Sequence, residues 1–191
     1  MSEEKPSPIR ILFVCHGNIC RSPMAEFVMK DMARQAGCAA RFVIASAATS
    51  TDDLGSDMYP AAKEELRKHG IPFERRQARQ LRRGEYADWD YIVAMDGENL
   101  GDIPALLEPV EYLFQDTCRC QDLGMTPNAA FFRMLNRLLG PDPEHKVRLL
   151  LSFAGEERPV SDPWYTRDFA TAYRDISMGC KALLEAVLRE G

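Results

Sequence analysis

No run of apolar residues in this 191-residue chain approaches the roughly 20 needed to cross a bilayer as a helix, so membrane insertion is not expected. Residues 1–7 are polar and acidic and lack the apolar core of a secretory signal. An excess of positive charge is also missing. The 24 Lys and Arg stand against 29 Asp and Glu, for a net charge of −5, which argues against a nucleic-acid partner needing a broad basic surface. The three histidines, His16, His69 and His145, show no metal-ligand spacing. Cys118 and Cys120 have no second pair to complete a zinc site, so neither a metal nor a cofactor is expected. The six cysteines, with no signal segment, read as thiols of a cytoplasmic protein rather than as a disulfide framework. There is no internal repeat and no low-complexity segment.

What is present is an ordinary globular composition, 46% hydrophobic and 28% charged, on a chain of a length suited to a single well-buried domain. Strand-like and helix-like patterns alternate. Continuous apolar runs at 9–14, 42–47, 91–95 and 147–151 suit strands covered on both faces. Helical stripes follow at 22–36, ended by Gly37, at 60–69, ended by Gly70, and at 168–189. Strands separated by helices predict an α/β fold: an open, parallel, four-stranded sheet with helices on both faces, three-layered and flavodoxin-like. Residues 111–145 break the pattern and are expected to form an added helical excursion on the same domain.

The most specific segment follows the first strand and reads Cys15-His16-Gly17-Asn18-Ile19-Cys20-Arg21, then Ser22-Pro23. A loop entering a helix turns successive backbone N–H groups inward at the positive end of the helix dipole, a cradle for a tetrahedral dianion. Arg21 adds a planar fork of donors for two phosphate oxygens. A cation at a helix N-terminus opposes the dipole, so its presence there is itself a sign that an anion binds. The same field favours the Cys15 thiolate, the form that attacks phosphorus. Gly17 and Asn18 can both adopt positive φ, and the Asn18 amide can tie the loop together. Ser22 can serve as the N-cap, donate its hydroxyl to the Cys15 sulfur, or do both. Cys20 is either a small apolar filler or a resolving thiol that captures oxidised Cys15.

Such a site needs a proton donor for the leaving oxygen, and Asp162 in Ser161-Asp162-Pro163-Trp164-Tyr165 is the candidate. Pro163 stiffens the loop, and Trp164 and Tyr165 can wall a pocket for a flat ring. The basic cluster Arg75, Arg76, Arg79, Arg82 and Arg83 is expected to be a solvated face that can at most steer an acidic partner.

Taken together these residues resemble the low-molecular-weight protein tyrosine phosphatase family. The resemblance is carried by the run 14–26, by Ser46, by His69-Gly70-Ile71, by Ala78-Arg79-Gln80-Leu81, by Met95-Asp96 and by Asp162-Pro163-Trp164-Tyr165. It covers the chain apart from the stretch 111–145. It implies Cys15 as nucleophile, Arg21 and the loop amides as phosphate clamp, and Asp162 as general acid and then base. His16, Gly17, Asn18, Ile19, Cys20 and Ser22 would line the substrate site with Trp164 and Tyr165, while Asn18, Ser22 and Ser46 organise the loop. The implied reaction is metal-independent, proceeds through a phosphocysteine, and takes a tyrosine-phosphorylated protein as substrate. Two departures stand out: His16 replaces a usually apolar residue, and Asp52 or Asp53 stands where the family often has an aromatic wall. Two alternatives share the scaffold. A protein arginine phosphatase typically carries Thr where this chain has Ile19, and an arsenate reductase would need a cysteine relay, for which Cys118 and Cys120 are the candidates.

Overall fold

A strand whose last five residues are all buried is covered on both faces and belongs in the interior of a sheet. In the computed structural model, which describes residues 7–107 and 142–190, β1 (Ile9–Cys15) lies between β2 (Phe42–Ala48) and β3 (Tyr91–Ala94), with β4 (Val147–Leu149) beyond β3. All pairings are parallel and the order is β2-β1-β3-β4. This is the expected four-stranded sheet.

Alternation along β1 separates two cores. Ile11, Phe13 and Cys15 join Met24 and Val28 of α1 (Arg21–Gln35), Leu66 of α2 (Pro60–Lys68) and Ile176 and Leu183 of the long C-terminal helix (Phe169–Glu190). Leu12 and Val14 join Tyr86, Trp89 and the Ile103 and Leu107 side chains of α3 (Gly97–Leu107) on the other face. Each such fully buried side chain contributes about 1.5–3 kcal/mol. The chain leaves β1 toward β2 on one side and later builds β3 and β4 on the other. The direction therefore reverses beside β1, opening a crevice at the carboxyl ends of β1 and β3.

Several element ends differ from the sequence reading. The last strand stops at Leu149, and Leu150–Ala154 closes into a 3-10 turn. Helix α1 begins at Arg21 on a Cys20 cap that makes no side-chain bond, so Ser22 is not its N-cap. Helix α3 was not expected. Asp96 starts it, its Oδ1 accepting the Asn99 N–H at 2.8 Å. Of the expected excursion, residues 111–141 lie outside the described residues, as do Cys118 and Cys120. Just after it, the Asp142 carboxylate accepts from Tyr86 O–H at 2.5 Å and from the N–H groups of Lys146 and Val147, fastening the start of β4. Among the described residues no helix is long and apolar enough to cross a membrane.

Candidate active site

The loop after β1 is shaped by where its carbonyls go. Cys15 O accepts from Thr49 N at 2.9 Å, His16 O from Ser50 N at 3.0 Å, Ile19 O from Tyr59 N at 2.9 Å and Cys20 O from Met24 N at 3.2 Å. Asn18 O accepts from Arg76 Nη1 at 2.8 Å. The peptides of this loop are trans, so each N–H points opposite to the carbonyl of its own peptide unit. With the carbonyls drawn outward into the scaffold, the N–H groups of Gly17, Ile19, Cys20 and Arg21 face the cleft.

Asn18 makes the tight turn, at φ 57. Gly17 does not take a positive φ, and its lack of a side chain serves another purpose. A Cβ there would come within 2.2 Å of Asp53 Oδ2, so glycine is what lets this carboxylate close over the loop. Asn18 is fully buried, and both ends of its amide are engaged. Its Nδ2 donates to Ser22 Oγ at 2.8 Å and to Ser46 Oγ at 2.9 Å, and its Oδ1 accepts from Arg76 Nη2 at 2.7 Å and Arg79 N at 3.2 Å. Ser46 in turn donates to Glu26 Oε2 at 2.6 Å. Ser22 Oγ lies 3.0 Å from Cys15 Sγ. That oxygen accepts from Asn18, and its own proton has two acceptors in reach, the sulfur and, at a longer 3.4 Å, Ala47 O. The side chain that the sequence suggested as a cap is thus turned toward the thiol.

Arg21 is 5% exposed and enters the cleft from the first turn of α1. Nη1 meets Asp96 Oδ2 at 2.6 Å and Nη2 meets Asp162 Oδ2 at 2.7 Å. Burial alone would lower the arginine pKa, but the negative charges of Cys15, Asp162 and Asp96 outweigh it and hold it above the ordinary value. Asp162 is placed as the N-cap of the short helix α4 (Pro163–Thr166), its Oδ1 accepting from Trp164 N at 2.9 Å. That segment is fixed at one end by Val160 N donating to Met95 O at 2.9 Å, and from the C-terminal helix, α5, by Asp175 Oδ2 accepting from Ser161 N at 2.9 Å.

The resulting cleft has a volume of about 310 Å³. Cys15, His16, Gly17, Ile19, Cys20, Arg21, Asp162, Trp164 and Tyr165 all line it. Asp52, Asp53, Asp96 and Glu98 complete the lining and make the mouth acidic. His16 Nε2 pairs with Asp52 Oδ2 at 3.1 Å, so the departure at His16 and the one at Asp52 meet. Bonds from Ser50 and His16 hold Asp52 below the usual carboxylate range. Burial, followed by the charges of Cys15 and Asp162, pushes the Cys20 thiol up to about 12, which keeps it protonated. Cys15, Cys20, Cys38 and Cys180 are free thiols.

Asn18 and Ser22, which the resemblance placed among the residues lining the substrate site, do not line the cleft: both are fully buried beneath the loop, where they meet Ser46. Two residues were missed. Asp96 enters the sequence reading only in the Met95-Asp96 pair of the resemblance, with no role of its own, although Asp-Gly-Glu-Asn is a helix-start signal. Arg76, expected on a solvated basic face, is instead part-buried in the Asn18 network, its fork taken by oxygens of Asn18 and Ser46. Arg79 departs from that face in part, pairing with the buried Glu85 at 2.8 Å. Among the described residues no group of three or more His, Cys, Asp or Glu side chains is placed to hold a metal ion.

The sequence profile of the family described as low molecular weight phosphotyrosine protein phosphatase matches residues 10–115. The low molecular weight protein-tyrosine-phosphatase YfkJ of Bacillus subtilis is 30% identical over 184 residues, covering 95% of this chain and 97% of its own. The human low molecular weight phosphotyrosine protein phosphatase is 30% identical over 178 residues, covering 92% and 93% respectively. The crystal structure of YfkJ aligns with a TM-score of 0.74 over 98% of this chain and 99% of that one, at 30% identity. That of a Drosophila arginine phosphatase aligns with a TM-score of 0.68 over 94% and 98%, at 25% identity.

Proposed function

This chain belongs to the low molecular weight phosphotyrosine protein phosphatase family, and from that membership we propose that it hydrolyses phosphotyrosine in proteins through a phosphocysteine intermediate. The observation that carries the proposal is the meeting of Cys15, Arg21 and Asp162 in one cleft, with Trp164 and Tyr165 at its side. In this reading the phosphoryl group enters the cradle of loop N–H groups and takes the Arg21 fork. Cys15 thiolate attacks phosphorus in line as the phenolic oxygen leaves. Asp162, displaced from Arg21 and protonated from solvent, gives that oxygen its proton and then takes one from the water that cleaves the S–P bond. Ser22 donates to the departing sulfur, and each well-aimed donor is worth about 2.7–4 kcal/mol in the transition state. We read the chain as one catalytic domain that needs neither metal nor cofactor. It would act in the cytoplasm, where a reactive thiol stays reduced.

Two refinements belong to the same reading. Oxidation of Cys15 by a peroxide, which is reduced to water or an alcohol as the sulfenic acid forms, would be followed by attack of Cys20 on that sulfur, giving a disulfide and releasing water, while the protonated Cys20 does not compete as a nucleophile in the reduced enzyme. The fold likeness to an arginine phosphatase keeps phosphoarginine in view. Ile19, which lines the cleft without a hydroxyl, favours phosphotyrosine. The test is turnover of phosphotyrosine, phosphoarginine and phosphoserine peptides side by side, with arsenate reduction as a control. Phosphotyrosine is expected to be the best substrate, and faster release from phosphoarginine, or arsenate reduction, would overturn the assignment.

A further inference from the structure

Consecutive residues of the loop between β2 and α2 serve two different cavities. Asp52 and Asp53 line the cleft, while Leu54 lines a second hollow of about 560 Å³, set against Arg10 of β1 and Ala45 of β2, that the reaction does not use. Ala78 and Trp89 complete its apolar wall. Its size falls within the roughly 300–1,000 Å³ of small-molecule sites, which pair apolar walls with a few placed polar groups.

The polar groups here are three arginines against two carboxylates, Arg10, Arg79 and Arg82 against Glu85 and Asp88. Glu85 is buried and already engaged, accepting from Arg79 Nη1 and Nη2 at 3.1 and 2.8 Å and from Arg82 N at 2.9 Å. The Arg82 guanidinium stands off at 3.6 Å and is mostly exposed. That of Arg10 lies over the Trp89 ring, 5.4 Å from its centroid, with Nε donating to Asp88 O. Among the described residues no carboxylate pairs with Arg10, and no cation pairs with the Asp88 carboxylate. Trp89 is 5% exposed, and its indole N–H is buried without a hydrogen-bond partner among those residues. Leftover buried donors are rare in folded proteins and call for a partner. Unspent guanidinium charge beside a flat ring and aliphatic walls suits a ligand that is both anionic and aromatic.

The hollow is also tied to the cleft. Ala78 O accepts from Gly55 N at 2.9 Å and Ala78 N donates to Ser56 O at 2.7 Å, so its wall carries the end of the loop. On the cleft side the Asp53 carboxylate already closes on Gly17, where a Cβ would come within 2.2 Å of Oδ2. An occupant resting on Leu54 therefore presses Asp53 toward the anion cradle, where its charge opposes a phosphate.

We propose that this hollow is a second ligand site, for a small flat aromatic anion, and that its occupant weakens anion binding in the cleft through the Asp53–Leu54 loop. The test uses the full-length protein with 2-naphthalenesulfonate as probe and inorganic phosphate as cleft ligand, both followed by isothermal titration. The probe should bind at one site with a Kd below about 1 mM. The Arg10→Gln/Arg82→Gln double variant, which changes two exposed side chains and should melt near the parent temperature, should bind it at least about tenfold more weakly. Saturating probe should weaken phosphate binding about threefold, and phosphate should weaken probe binding by the same factor.

No binding at 1 mM probe (about the weakest affinity a site of this kind should show), or parent-like binding in the double variant, would overturn the site. Should that variant not fold, Arg82→Gln alone decides, with at least a threefold loss expected (about half of the double variant's effect on a logarithmic scale). Displacement of the probe by phosphate without limit would place the probe in the cleft and likewise overturn the site. Phosphate affinity that the probe leaves unchanged would overturn the coupling. A cleft that binds no phosphate at all would overturn both the coupling and the reading under Proposed function, while the probe titrations on parent and double variant would still decide the hollow.

Discussion

On the floor of the cleft Asn18 and Ser22 are fully buried and Cys15 is 3% exposed, whereas on its rim Trp164 is 45% exposed and Tyr165 83%. Floor atoms are over-determined: both ends of the Asn18 amide, the Ser22 oxygen and the Ser46 oxygen have partners supplied by other elements. The rim is held by exposed pairs such as His16 with Asp52, whose side chains are 52% and 72% exposed. Buried networks change as units, while exposed pairs are each worth about 0–1 kcal/mol. Floor substitutions should therefore act on kcat in large steps. Rim substitutions should act on substrate choice and affinity in small ones.

The largest expected break is Cys15→Ser, which should abolish turnover yet retain phosphate binding. Isothermal titration with phosphate beside a turnover assay checks it, and substantial residual hydrolysis would remove Cys15 as nucleophile. Next, Asp162→Ala should lower kcat by about 10²–10⁴ for aryl phosphates with poor leaving groups and by less for good ones. An equal loss across a leaving-group series would reject Asp162 as the acid. Asp175, which tethers the acid-bearing segment to α5, comes third. Burial would raise its pKa, but Arg158 and the Ser161 N–H outweigh that and depress it. Its contribution is thus fully present above the unfolded carboxylate value and is lost as pH falls through the lower folded one. Asp175→Asn should cost about 1–3 kcal/mol near pH 7, with the difference from the parent shrinking in acid, as read by thermal melts across pH. Smallest is Asp52→Ala, expected to change kcat/KM for a small aryl phosphate less than about fivefold. A hundredfold effect there would end the distinction between floor and rim.

The floor was far more legible in the sequence than its supports. The cysteine-to-arginine loop, the parallel sheet and the Asp162 segment each carry local patterns whose chemistry is set by neighbours in the chain. Arg76 touches Asn18 across 58 residues of sequence, and a charged residue within a run of arginines carries no local sign of burial. Helix α3 contains Gly101 and Pro104, poor helix formers that mask a stripe whose buried members are Ile103 and Leu107. Ser22 shows the converse. Its position beside Pro23 suits a cap as well as a contact with sulfur, and the structure keeps only the second, with Asn18 Nδ2 donating to its oxygen. The close approach of Asp53 to Gly17 likewise depends on a separate loop and could not be read from either segment alone.

The doubly held Arg21 has a bearing on which ions the empty enzyme admits. Its fork is already neutralised by Asp96 and Asp162, so a ligand arrives by exchange rather than by simple addition. A singly charged oxyanion offers the fork little more than the Asp162 carboxylate does. A phosphate ester dianion brings a second charge and a tetrahedral set of oxygens that the loop N–H groups can share. The resting cleft would therefore discriminate against the small monoanions that surround it, and the same exchange would release Asp162 to act only when a dianion has arrived.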